Sequence, residues 1–127
     1  MKSFRMANVS IYKFGFQGST IDYWDGDVIH YSLSANELLE QLSESDNSII
    51  ICSLASKEDL LQLVSFYQKK KLALKDKNHI VVLVDHQSNE KLTEAASRLS
   101  LHKIISSKQY FADEEGMIIM FVEEFEA

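Results

Sequence analysis

Two short runs of unbroken apolar residues constrain this chain more than anything else in it: Ile49 to Cys52 inside Ser48–Ser53 (SIIICS), and Ile80 to Val84 inside His79–Asp85 (HIVVLVD). Each is long enough for a strand and far too short to cross a membrane. Neither alternates apolar with polar residues, so both faces of each strand must be covered. Segments of helical spacing follow both runs. Strands alternating with helices imply crossover connections and a parallel sheet held between helix layers.

The helices announce their starts. Ser34 with Glu37 reads as a capping box ahead of Leu38, Leu39 and Leu42, and Ser56 with Asp59 stands in the same relation to Leu60, Leu61, Leu63, Val64, Phe66 and Tyr67. Ser88 or Asn89 opens a third helix carrying Leu92, Ala95, Ala96 and Leu99, Lys103–Ser107 (KIISS) reads as a short last strand, and Asp113 caps a final helix running through Glu124. The first half is less regular. Asn8–Phe14 (NVSIYKF) alternates as a strand does, with Val9, Ile11 and Lys13 opposite Tyr12 and Phe14. Thr20–Trp24 and Asp27–Ser32 are strand-like and flank Asp25-Gly26, a strong hairpin signal. The first crossover is therefore expected to be remodelled, with a β-hairpin within 20–31 and a short helix as the alternative. The fold class expected is α/β, a three-layer sandwich around a mainly parallel five-stranded sheet.

At 127 residues the chain has the size of one domain, and no proline, low-complexity stretch or repeat marks a boundary within 1–127. We expect a single domain, compatible with its being the N-terminal part of a longer signalling protein. A net charge of −6 and only two arginines, Arg5 and Arg98, disfavour nucleic acid, whose binding rests on neutralising phosphates. The lone Cys52 rules out an intrachain disulfide and suits a reducing compartment; with no apolar signal core after the N-terminus, a cytoplasmic location is expected, away from membranes.

The order of elements from Asn8 to Glu124 resembles the receiver domain of bacterial two-component response regulators, and the receiver/flavodoxin-like fold is what that resemblance implies. It extends to pattern more than to chemistry. Where receivers carry an acidic pair after the first strand to hold a divalent cation, this chain has Phe14-Gly15. The phosphoacceptor aspartate is matched by Ser53, the hydroxyl residue ending the fourth strand by Val84 with Asp85 next, and the switching aromatic by Ile105. Lys108 matches the lysine that ends the fifth strand, and the following proline is Gln109. Magnesium favours carboxylate oxygens, and serine is no aspartyl phosphoacceptor. The resemblance is thus to a degenerate receiver, a pseudo-receiver, without a metal or cofactor.

Other chemistry-bearing residues read more simply as structure. The loop Gly15-Phe16-Gln17-Gly18-Ser19-Thr20 lacks the lysine and spacing of a P-loop, although Gly18 could face a ligand. Cys52 sits in an apolar strand without a following arginine to cradle phosphate, as a buried structural cysteine would. His30, His79, His86 and His102 have no metal-ligand spacing; Asp85-His86 is the pair to inspect for acid–base work, with His30 able to converge on it at the strand ends. Lys69, Lys70, Lys71, Lys75 and Lys77 read as a solvated helix end and loop.

The last helix differs. Met117 to Val122 are consecutively apolar and Phe125 follows, more than one helix face can bury against one sheet. Met117, Ile118, Phe121, Val122 and Phe125 are therefore expected to include an exposed interface for a homodimer, a protein partner or a fused effector domain. The function expected is a non-catalytic signalling or regulatory protein–protein interaction module. The alternative is a sensor of a small molecule or anion, bound at the strand ends near Gly18, Ser53, Asp85 and Lys108. An enzyme using Asp85, His86 or Cys52 is the weakest of the three readings.

Overall fold

The computed structural model describes residues 9–16, 21–42, 47–70, 78–85, 89–99 and 101–126. The two apolar runs form the middle of its sheet: β5 (Asn47–Leu54) and β6 (Asn78–Val84) lie side by side. Around them stand β1 (Val9–Phe14), β4 (His30–Ser32) and β7 (Lys103–Ser106), in the order β4-β1-β5-β6-β7, with every pairing parallel. Numbered along the chain, these five strands lie across the sheet in the order 2-1-3-4-5, the receiver/flavodoxin-like winding.

Residue parity decides the two cores. Tyr12, Phe14, Ile50, Cys52, Leu54, Ile80, Val82 and Val84 point to one face. There they meet Leu38 of α1 (Ala35–Gln41), Leu63 and Phe66 of α2 (Lys57–Lys70) and Ala96 of α3 (Glu90–Ala96). The neighbours one position away, Ile11, Ile49, Ile51, Val81, Leu83 and Ile105, fill the other core. That core is closed by Tyr110 of α4 (Ser107–Ala112) and by Met117, Ile118, Phe121 and Val122 of α5 (Glu114–Glu126). Both serines cap: Glu37 N–H donates to Ser34 Oγ at 3.2 Å and Asp59 N–H to Ser56 Oγ at 3.3 Å; Asp59 Oδ2 returns the bond by accepting from Ser56 N–H, whereas Glu37 Oε1 accepts from Leu33 N–H. Asp113 Oδ1 accepts from Gly116 N–H at 3.1 Å, so the predicted cap of the last helix is in place.

The first crossover is remodelled, as the sequence suggested. β2 (Tyr23–Trp24) and β3 (Asp27–Val28) pair antiparallel about Asp25 (φ 52°) and Gly26 (φ 86°), both in the left-handed region such a tight turn demands. Ile21, Trp24 and Ile29 pack into the core that α5 closes. The hairpin thus covers sheet that a crossover helix would otherwise cover. One detail differs from the expected strand at Asp27–Ser32. The chain leaves the hairpin at Val28 and joins the central sheet at His30, because β1 offers a parallel edge there.

The last helix corrects a larger expectation. Met117, Ile118, Phe121 and Val122 are buried in the chain's own core, so they are not an exposed interface. At about 3.6 residues per turn these four positions fall on one side of α5. Phe125 is partly buried against the same core, while Ile119 stays 43% exposed. Among the described residues no helix is long and apolar enough to cross a membrane.

Candidate functional site

In open α/β sheets a ligand crevice forms beyond the carboxyl ends of the strands, where the winding reverses. Here that point lies between β1 and β5. Among the described residues, backbone narrows it. Gly15 (φ +80°) sits so near β5 that a Cβ on it would lie 2.9 Å from the Ser53 carbonyl oxygen. Its N–H donates to the Ser32 carbonyl at 2.9 Å, tying β1 to β4 as well. Among the described residues, a void of about 10 Å³ there is bounded by Phe14, Gly15, Leu33, Ser53, Leu54, Asp59 and Gln62. That is room for roughly one water. The polar side chains around it serve the fold. Asp59 Oδ2 accepts from the N–H groups of Ala55 (2.8 Å) and Ser56 (3.2 Å), and Gln62 Oε1 accepts from Ala35 N–H (2.9 Å).

Beneath this crest, on the face covered by α5 and the hairpin, lies a polar cluster. Lys13 has Ile11's parity and so points into an apolar core, where an unpaired ammonium would be untenable. Its Nζ donates to Glu114 Oε2 at 2.7 Å and to the Ile21 carbonyl at 2.8 Å, and lies 5.3 Å from the Phe16 ring centroid. Glu114 Oε2 also accepts from the Tyr110 hydroxyl at 2.7 Å. Burial, and then the adjacent carboxylate, push that hydroxyl far above the usual tyrosine range, so it stays a donor. Tyr31, beside Lys13 in the β1–β4 register, donates to Asp22 Oδ1 at 2.9 Å. One lysine thereby joins β1, the entry to the hairpin and the start of α5. The cluster holds these elements in place, since its cation and carboxylate already face each other.

The residues named from the sequence disperse. Ser53, partly buried and one residue short of the end of β5, contributes its backbone to the narrowed crevice. Lys108 is a correction: β7 ends at Ser106, and Lys108 is exposed in the first turn of α4, a helix the sequence did not announce. Asp85 directly follows β6, where its carbonyl accepts from Asn89 N–H at 2.8 Å. His30 stacks on Tyr12 with ring centroids 5.0 Å apart. It stands on β4, three strand spacings from β6, or about 14 Å, so it does not converge on Asp85. Cys52 is fully buried, and burial pushes its thiol well above its usual range. Gly18 and His86 lie outside the described residues, as do Lys71, Lys75 and Lys77.

The Lys13–Glu114 pair escaped the sequence reading. Its signals were a lysine in phase with Val9 and Ile11, and a glutamate at the head of an apolar helix. Nothing local joins them. Comparisons of the chain with protein-family models, curated proteins and solved structures find no match.

Proposed function

We propose that this chain is a non-catalytic regulatory domain of the pseudo-receiver kind, and that what it binds is another protein. The observation that carries the reading is the crowding of the switch point among the described residues, where Gly15 is pressed on the Ser53 carbonyl and the polar groups Asp59 and Gln62 bond helix starts. The surface that fits a partner is the outer strand β7. Lys103, Ile104, Ile105, Ser106, Gln109 and Met120 line an open groove there of about 420 Å³, with apolar and polar groups mixed. Outer strands are common docking edges because one side of their backbone ladder lacks a neighbouring strand.

The test uses the purified chain with acetyl phosphate and Mg²⁺, followed by intact mass. The expected spectrum is unchanged, and a gain of one phosphoryl group would overturn the reading. Thermal-shift measurements with inorganic phosphate and nucleotides supply the second arm. No stabilisation is expected, and a saturable shift would favour anion sensing at the strand ends instead.

A further inference from the structure

At the other end of the sheet, where β6 and β7 begin, two histidines 23 positions apart in the chain lie face to face. The His79 and His102 ring centroids are 4.1 Å apart and the planes differ by 7°. The Phe125 ring, from the end of α5, lies 4.4 Å from His79. His102 is also built into the strand pairing: its N–H donates to the Ile80 carbonyl at 2.9 Å, and its Nδ1 accepts from Ile80 N–H at 3.0 Å. We propose that His79 and His102 form an acid-released latch, holding the start of β7 against β6 and the end of α5 while both rings are neutral.

The chemistry follows from the acceptor. Nδ1 accepts only through its lone pair, so in the neutral ring the proton sits on Nε2. Protonation turns Nδ1 into a donor aimed at the Ile80 N–H, and that bond is lost. Protonation of His79 as well sets two like charges face to face at 4.1 Å. Among the described residues, the charged groups around the pair are Glu124 and Lys103. From α5 comes Glu124, which favours charged His79 but is itself held by Lys103 Nζ of β7 at 2.6 Å. From β5 the residue opposite His79 is the apolar Ile49. Burial holds His79 below its usual value of 6.5, and His102 lowers it further against the opposing pull of Glu124. His102 is exposed as a whole, and the partial burial of its ring lowers it. Because the folded chain resists protonation more than the unfolded chain, the latch contributes stability above about pH 6.5 and loses it as pH falls below that value. Loosening would fall first on β7, the strand that carries the proposed groove. The latch itself does not rest on that groove having a partner.

The experiment is an NMR titration of the full chain. Imidazole carbon-bound protons report His79 and His102, and Ile80 amide protection, corrected for intrinsic exchange, is read at pH 7.5 and 5.5. Both rings should titrate below 6.5. Ile80 protection should fall at least tenfold more in the wild type than in His102→Asn, whose Oδ1 can accept the same N–H without titrating. A midpoint at or above 6.5 for either ring, or equal losses in the two proteins, would overturn the latch. Should His102→Asn fail to fold, the wild-type midpoints decide the question alone.

Discussion

Lys13 Nζ lies 2.7 Å from Glu114 Oε2, across 101 positions of sequence, with both side chains sealed from solvent. The energetics of such a pair are asymmetric. Taking two charges out of water costs nearly what their attraction returns, but removing one partner strands the other. Lys13→Met should therefore cost about 3–5 kcal/mol. Adding Glu114→Gln, which removes the stranded charge and keeps an acceptor for Tyr110, should restore most of that loss. Urea unfolding midpoints of the single and double variants check the point. A single variant within about 1 kcal/mol of wild type, the range of exposed pairs, would mean that water reaches the pair.

Gly15 makes a second position testable. Its φ of +80° and the 2.9 Å approach to the Ser53 carbonyl each exclude a side chain, and the obstacle is backbone, which cannot swing away. Gly15→Ala should destabilise by about 1–3 kcal/mol. Gly26→Ala has the same sign of φ but nothing within 4 Å, so it should cost less. Thermal unfolding of the two variants separates the backbone strain they share from the close contact that only Gly15 makes.

The sheet was legible in the sequence because its signal is local. Ile49–Cys52 and Ile80–Val84 could be little else, and Ser34, Ser56 and Asp113 all cap helices as their spacing suggested. α4 was hidden, since six residues with Tyr110 as the buried one form no periodic stripe. The switch of the chain from the hairpin to the central sheet at Ile29 was hidden for another reason: pairing with β1 decides it, and β1 is remote in sequence. The candidate site was the least legible part. Lys13 was assigned its side of β1, but its partner arrives from α5, and no spacing rule connects the two.

The apolar run on α5 sharpens into a prediction that separates core from surface. Phe121 is buried and stacks parallel to Tyr110 with centroids 6.2 Å apart, whereas Ile119, two residues earlier, is 43% exposed. Phe121→Ala should cost about 3–5 kcal/mol, and Ile119→Ser should stay within about 0.5 kcal/mol. Chemical denaturation measures both. Near-wild-type stability for Phe121→Ala would return Phe121 to the surface, and with it the interface that its burial excludes.

Cys52 tests the packing around β5 by chemistry. Nucleophilic attack needs the thiolate and a path to it. Burial withholds both, by raising the thiol's pKa and by enclosing the sulfur among residues such as Phe14, Ile50 and Leu63. In the native chain at pH 8, iodoacetamide should leave Cys52 unmodified over hours, while in concentrated urea the same reagent should label it within minutes. The ratio of rates reports opening of the core around β5, because the sulfur faces the α1–α3 layer and is reached only when that layer lifts or the central sheet parts. Since three helices and the middle of the sheet meet in that core, the opening should approach global unfolding. Lys13→Met, by weakening the bracket on β1, should then speed native labelling in proportion to its loss of stability. Labelling that is fast in the wild type and indifferent to Lys13 would instead reveal a local opening at the crest, and with it an accessible crevice between β1 and β5.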